Sequence, residues 1–365
     1  MNIIFSNYDD MHNPYYGGGG ALAIHEVAKR LSKNHTVRVI TGRYPGSKDE
    51  VVDGVAYKRI GLHFFDARVG QLIFYFCLPW YAFTLKFDAW LESFTPPFSA
   101  ALLPLFTKKP VIGITHLLGG VAMKEKYGLP FHFVEKLFMK AYRNVIVMQE
   151  ELAKQVHDMS ANSNTYIIPN GVSDNYINYL VGPKENYIAF LGRIDLEQKG
   201  LDLLLRAYAL EKNKIGMKVK IAGNGLEGDV DKVKQLIKRL GLEDSVELLG
   251  RLSGKVKEQY LSGADIFVMP SRAENFALVL LEAFCFELPV IAFNIPGVQW
   301  SPDACVIKVP CFDVAEFGRT LTELAHNEQQ RRAMGQIAKE YVKQYTWDSV
   351  AQQYEEVINK IVEIA

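Results

Sequence analysis

The chain has 365 residues, of which 49% are hydrophobic and 22% charged, and its 41 basic side chains balance 41 acidic ones. That length exceeds one ordinary core and suits two domains of similar size in a globular protein. Residues 1–170 carry 18 basic and 14 acidic side chains and the remainder 23 and 27, a split too mild for a nucleic-acid binder but compatible with an anionic partner on the first half.

MNIIFS opens as a strand with no basic leader, so no signal peptide is expected. IIFS (3–6), a glycine-rich loop, a helical stretch ALAIHEVAKRL (21–31) and TVRVITG (36–42) form a βαβ unit, the building block of a parallel sheet. The apolar run LIFYFCLPWYAF (72–83) contains a proline and is shorter than the roughly 20 residues that span a bilayer. Strands follow at PVIGITH (110–116), NVIVMQ (144–149) and TYIIPNG (165–171), and the polar stretch 172–186 reads as a linker.

The alternation then restarts with YIAFLG (187–192), a helix at LDLLLRAYAL (201–210), VKIAGNG (219–225) and a charged helix at VDKVKQLIKRL (230–240). VELLG (246–250), DIFVMPS (265–271), a helix after Glu274, PVIAF (289–293) and CVIKV (305–309) complete the series. Trp347, Val350, Tyr354, Val357, Ile361 and Ile364 then recur at helical steps, one apolar face on a final helix. The expected division is a first Rossmann-like domain at 1–171, the linker, a second such domain at 187–345 and a last helix at 346–365 that crosses back to the first domain. Four cysteines (Cys77, Cys285, Cys305, Cys311) lack metal-type spacing and read as reduced thiols in a cytosolic protein.

In open α/β sheets ligands sit beyond the carboxyl ends of strands, so the loops after strands carry the candidates. AENFALVLLEAF (273–284) places Glu274 before a helix and Glu282 two turns inside it, on the order of 10 Å apart. Buried carboxylates need partners. That spacing suits two ends of one extended ligand, with the helix N-terminus between them favouring a phosphate. The plainer alternative is that Glu274 caps the helix and Glu282 bonds a neighbouring loop. In FLGRIDLEQKG (190–200), Arg193 and Lys199 flank a second helix start and suit a diphosphate, unless they are ordinary surface charges. GGGGA (17–21) lets a backbone approach a phosphate but fits neither the P-loop nor the dinucleotide fingerprint. His116 ends a strand, where a histidine either reaches a ligand or is structural. Asp229 and Asp231 have the spacing of a metal-binding DxD, but they open a charged helix and read as acidic residues favouring its N-terminus.

With FLGRIDLEQKGLDLLLRAY, VKIAGNG, LLGRLS, ADIFVMPSRAENFALVLLEAF and LPVIAF assembled, the chain resembles the family-4 retaining glycosyltransferases of the GT-B fold over nearly its whole length. The resemblance implies two doubly wound domains facing a cleft, and transfer of a hexose or N-acetylhexosamine from a UDP- or GDP-sugar to a glycan or lipid-linked hydroxyl. No metal or other cofactor is implied. Glu282 resembles the ribose-binding glutamate, Glu274 the one holding the transferred sugar, and Arg193 with Lys199 the diphosphate pair. The amides of Phe276, Ala277 and Leu278 would meet sugar and diphosphate, with Asn275 beside them. Gly18 and Gly19 resemble the facing turn, His116 the histidine beside the reacting sugar, and Arg251 with Leu252 the segment against the base. Two departures stand out: the family's EGFG is Glu274-Asn275-Phe276-Ala277 here, and Glu287 replaces a glycine before LPV. An inactive GT-B partner subunit, a sugar phosphorylase and an epimerase remain as alternatives. The expected setting is cytoplasmic, with peripheral membrane contact suggested by the aromatic stretch 64–83 and the basic, aromatic stretch 121–143 of the first domain. The plainer alternative, and the favoured one, is that 121–143 is an ordinary helix packed below the strand NVIVMQ with solvated lysines.

Overall fold

The computed structural model describes residues 1–13, 19–62, 67–95, 100–120, 128 and 130–364. It divides into two units, Met1–Gly171 with Trp347–Ala365, and Val172–Thr346.

The first unit contains β1 (Asn2–Ser6), α1 (Gly19–Leu31), β2 (Thr36–Gly42), β3 (Glu50–Val52), β4 (Val55–Ile60), α2 (Ala67–Thr84), β5 (Ala89–Phe94), β6 (Val111–Thr115), α3 (Phe131–Met139), β7 (Asn144–Val147), α4 (Glu150–Met159) and β8 (Asn164–Ile167). The strands form one sheet in the order β3-β4-β2-β1-β5-β6-β7-β8, parallel throughout except for the β3–β4 hairpin. Ile3, Ile4 and Phe5 are all buried, the continuous apolar run of a strand covered on both faces. Two strand regions escape the sequence pattern. The β3–β4 hairpin turns on Asp53-Gly54, both at positive φ, a turn dipeptide between very short strands. In β5 the run AWLESF is interrupted by Glu92, which is fully buried. Its carboxyl accepts from Ala101 N and from the Tyr142 hydroxyl, both at 2.5 Å.

The last helix, α12 (Trp347–Ile364), belongs to the first unit and packs along α1. Trp347, Val350, Ala351, Tyr354, Ile358 and Ile361 are buried, and Arg30–Asp348 and His35–Glu355 ion pairs flank them. Ile364 is exposed rather than part of that face.

The second unit contains α5 (Asp174–Ile177), β9 (Tyr187–Leu191), α6 (Leu201–Ile215), β10 (Lys218–Ala222), α7 (Glu227–Arg239), β11 (Val246–Gly250), α8 (Gly254–Gly263), β12 (Ile266–Met269), α9 (Leu278–Cys285), β13 (Val290–Phe293), β14 (Val306–Val309), α10 (Val314–His326) and α11 (Glu328–Val342). Its six strands are all parallel in the order β11-β10-β9-β12-β13-β14. Counted within the unit, that is the 3-2-1-4-5-6 order of a dinucleotide-type fold, whose switch point lies between β9 and β12. Residues 172–186, read above as a linker, fall in this unit. Val172 is in its core, and Tyr176 and Tyr179 pack on Phe286. Asp229 and Asp231 sit in the first turns of α7, each paired with a lysine three residues on.

Candidate functional site

The switch point of the second unit brings together the loop after β9, with Arg193 and Lys199, and the loop after β12, with Ser271 to Ala277. Lys199 Nζ lies 2.5 Å from Glu274 Oε1, which also accepts from Ser271 Oγ at 2.7 Å. Arg272 clamps the two loops. Its guanidinium takes both carboxylate oxygens of Asp202 at 2.8 Å and donates to the Leu196 and Glu197 carbonyls. A bidentate pair of this kind fixes direction as well as distance. Close backbone approach reinforces the clamp. Gly200 has φ +63°, and a methyl there would stand 2.0 Å from the Pro270 carbonyl oxygen; a methyl on Gly297 would stand 2.2 Å from that of Glu274. The Phe276 and Trp300 rings stack at 4.6 Å, so the turn around Gly297 braces the segment that carries Glu274.

Helix α9 starts at Leu278, four residues after Glu274, with Ala277 at its N-cap and no side-chain cap. Leu280 N donates to the Ala277 carbonyl at 2.9 Å, and the preceding amides of Leu278 and Val279 stand at the positive end of the helix dipole. Glu282 points away from the buried Leu280, Leu281, Ala283 and Phe284 and remains about a quarter exposed. Its partner is Lys257 on α8, at 2.7 Å. Neither Lys257 nor Arg272 stands out in the sequence, because a single cation in a charged helix or a loop carries no signal. Arg193 is exposed and not joined to Glu274; it pairs with Asp195 and with Gln198 Oε1. Arg251 is exposed at the end of β11, and Leu252 is half-buried against the core.

The two departures behave differently. Asn275 is not among the positive-φ residues, and Ala277 has φ −77° and ψ 90°, so this backbone does not require glycine at either position. The left-handed tolerance of asparagine is thus not used. Glu287, by contrast, has φ +56°, a conformation that disfavours a side chain and suits glycine.

In the first unit, His116 follows β6 with both ring nitrogens buried and without a partner among the described residues. Burial pushes its imidazole down to about 4, which keeps it neutral. Gly20 packs on the ring, leaving 3.0 Å between His116 Cδ2 and a methyl built there. Gly19 and Gly20 are the first residues of α1 rather than turn residues. Gly18 lies outside the described residues. The loop after His116 is held by Glu135 of α3, whose buried carboxylate accepts from Gly119 N and Gly120 N at 3.0 Å each. On α3, Phe133 and Leu137 are exposed alongside Lys136 and Lys140, Phe131 and Phe138 are half-buried, and Lys124 and Lys126 lie outside the described residues. Among the described residues no three His, Cys, Asp or Glu side chains gather as a metal site.

Two parallel-sheet units with a dinucleotide-type strand order in the second are the parts of a GT-B glycosyltransferase fold, and the comparisons agree. The pattern described as "Glycosyl transferases group 1" matches residues 177–341 and that described as "Glycosyltransferase Family 4" matches residues 17–176. The chain belongs to the family-4 glycosyltransferases. A sucrose-phosphate synthase structure from Thermosynechococcus elongatus superposes with a TM-score of 0.83 at 19% identity, covering 100% of both chains. Anabaena HepE, solved in complex with UDP-glucose, gives 0.76 at 16% identity over 99% of this chain and 100% of its own. A D-inositol 3-phosphate glycosyltransferase of Corynebacterium kroppenstedtii is 30% identical over 186 residues, which is 47% of this chain and 41% of that protein. The chain spans less than half the length of such curated relatives. Among the described residues no helix is long and apolar enough to cross a membrane.

Proposed function

We propose that the protein transfers a hexose or N-acetylhexosamine from a nucleoside diphosphate sugar to a hydroxyl of a glycan or lipid-linked acceptor, with retention and without a metal. The observation that carries this reading is the cluster at the switch point: Lys199 on Glu274 at 2.5 Å beside an uncapped helix N-terminus. A carboxylate there suits sugar hydroxyls, while a lysine and the amides of Leu278 and Val279 suit a diphosphate. On donor binding Lys199 exchanges Glu274 for the diphosphate, joined by Arg193, and Glu274 is released to the sugar. Stabilising the departing diphosphate is then electrostatic, the part that a metal plays elsewhere. Glu282 serves the ribose, Arg251 and Leu252 the base, Asn275 to Leu278 the sugar and diphosphate, and His116 the reacting sugar, where its neutral ring fits hydrogen bonding better than charge. HepE, which binds UDP-glucose, supports a nucleotide-sugar donor.

The test is thermal unfolding with UDP, GDP, ADP and their common sugar conjugates, wild type against Glu282→Ala. A ligand that binds only the folded state raises the melting temperature. A rise with one nucleotide that Glu282→Ala loses is expected. No rise with any of them at millimolar concentration would overturn the donor assignment.

A further inference from the structure

Helix α2 is apolar all round. Its one charged residue is Arg68, and it contains no acidic residue. Phe74, Tyr75, Leu78 and Ala82 are buried against the sheet. On the opposite side Val69, Leu72, Phe76, Trp80 and Phe83 recur at steps of three and four, and all are exposed, Phe76 by 75% and Trp80 and Phe83 by 69% each. A helix that is apolar all round is normally enclosed on every side, and a contiguous exposed stripe of large apolar residues marks a surface that meets something.

The stripe runs on beyond the helix. The Phe83 and Phe106 rings meet edge to face at 6.5 Å, and Leu105 beside them is exposed. Immediately after these residues, Lys108 and Lys109 enter a groove of about 700 Å³ that also takes Arg143, His157 and Lys360, with no carboxylate in its lining. Aromatic side chains beside a groove whose charged lining residues, Lys108, Lys109, Arg143 and Lys360, are all cations match the two layers of an anionic bilayer surface, apolar at acyl depth and negative at the headgroups. With too little apolar length to span, α2 suits lying in the plane of the interface.

We propose that the exposed face of α2, the segment 105–109 and the adjoining basic groove seat this chain on an anionic membrane. The aromatic rings enter the interface and the groove receives phospholipid headgroups. This does not depend on the glycosyl-transfer reading.

Co-sedimentation with vesicles of phosphatidylcholine, or of equal parts phosphatidylcholine and phosphatidylglycerol, tests it on the intact chain. Binding to the anionic vesicles is expected, weakening with salt, with a blue shift of tryptophan emission. Trp80 is the natural reporter because Trp90 and Trp347 are buried and Trp300 half-buried. Phe76→Ser with Trp80→Ser should lower affinity at least about tenfold. Lys108→Glu with Arg143→Glu should lower it for anionic vesicles only, both variants keeping the wild-type melting temperature. Lys109 is left in place because its Nζ donates to the Phe87 carbonyl at 2.7 Å. Failure to sediment with the anionic vesicles at low salt would overturn the proposal. So would a dimer in light scattering that Phe76→Ser with Trp80→Ser dissolves, since the stripe would then be covered by a second copy.

Discussion

In the second unit Glu274 and Glu282 each rest against a lysine, whereas in the first His116 keeps both ring nitrogens unpartnered among the described residues. The difference follows from what each group can do with its charge. A half-buried carboxylate at neutral pH cannot shed its charge cheaply, so the fold must supply a cation. An imidazole near its titration range can lose the proton instead, and burial takes that route, down to about 4. A ligand at the first kind of site has to displace an existing partner. At the second kind it only has to arrive.

That contrast is broken most directly at Lys199. If the exchange of partners is right, Lys199→Ala removes diphosphate stabilisation while leaving Glu274 hydrogen-bonded to Ser271. Turnover of the sugar nucleotide should fall by about 10² to 10³, the scale of losing one preorganised electrostatic contact. Turnover within threefold of wild type would mean that Lys199 only neutralises Glu274.

The next effect is on stability against pH, and it sets His116 against Glu92. The His116 value lies below that of an unfolded chain, near 6.5, so its contribution is full above pH 6.5 and is lost as pH falls towards 4. Burial raises Glu92 to about 7. Its contribution is full below the unfolded value, near 4.5, and is lost as pH rises through 7. Each amounts to at most about 3 kcal/mol, and between pH 4.5 and 6.5 they oppose one another. Urea unfolding across that window should therefore change little in wild type. His116→Gln should become less stable with rising pH, and Glu92→Gln more stable. Parallel profiles for the two variants would show that neither group carries its shift.

A smaller loss is expected at Lys257, the partner that keeps Glu282 neutralised. Both side chains are about one-fifth exposed, so solvent screens the pair and Lys257→Met should cost about 1–2 kcal/mol. Glu282→Gln in the same chain should recover most of it, a coupling that a double-mutant cycle measures directly. An additive cycle would leave Glu282 balanced by solvent rather than by Lys257.

The alternating strands and helices, and the residues on the two loops of the second unit, could be read from the chain because period and local turn chemistry report them. Glu274, Lys199 and the start of α9 stand within a few residues of obvious signals. Lys257 and Arg272 were not legible as partners, since pairing across 25 or 70 residues depends on which strands become neighbours. The strand β5 hid behind Glu92 for a related reason: a carboxyl is buried there only because Tyr142 and the Ala101 amide meet it. The aromatic stretch 64–83 was legible as a surface candidate, but which of its side chains stay open was not, because an apolar helix reads the same whether one side or both are covered.

The smallest effect concerns Glu287, where this chain departs from glycine. Its φ of +56° disfavours any residue with a Cβ, and its carbonyl is crossed closely by Gly335, where a methyl would come within 2.2 Å. Glycine at 287 relieves the backbone but also removes one of two carboxylates that favour the Lys184 ammonium, which donates to the Ser262 and Phe286 carbonyls and which desolvation lowers to about 8. The two consequences separate by comparing Glu287→Gly with Glu287→Gln, since both lose the charge and only the first loses the Cβ. The glycine variant should be the more stable by about 0.5–1 kcal/mol. That corresponds to a melting temperature about 1–4 °C higher. If glutamine equals glycine, the left-handed backbone costs nothing at this position, and the departure is then a matter of charge near Lys184 alone.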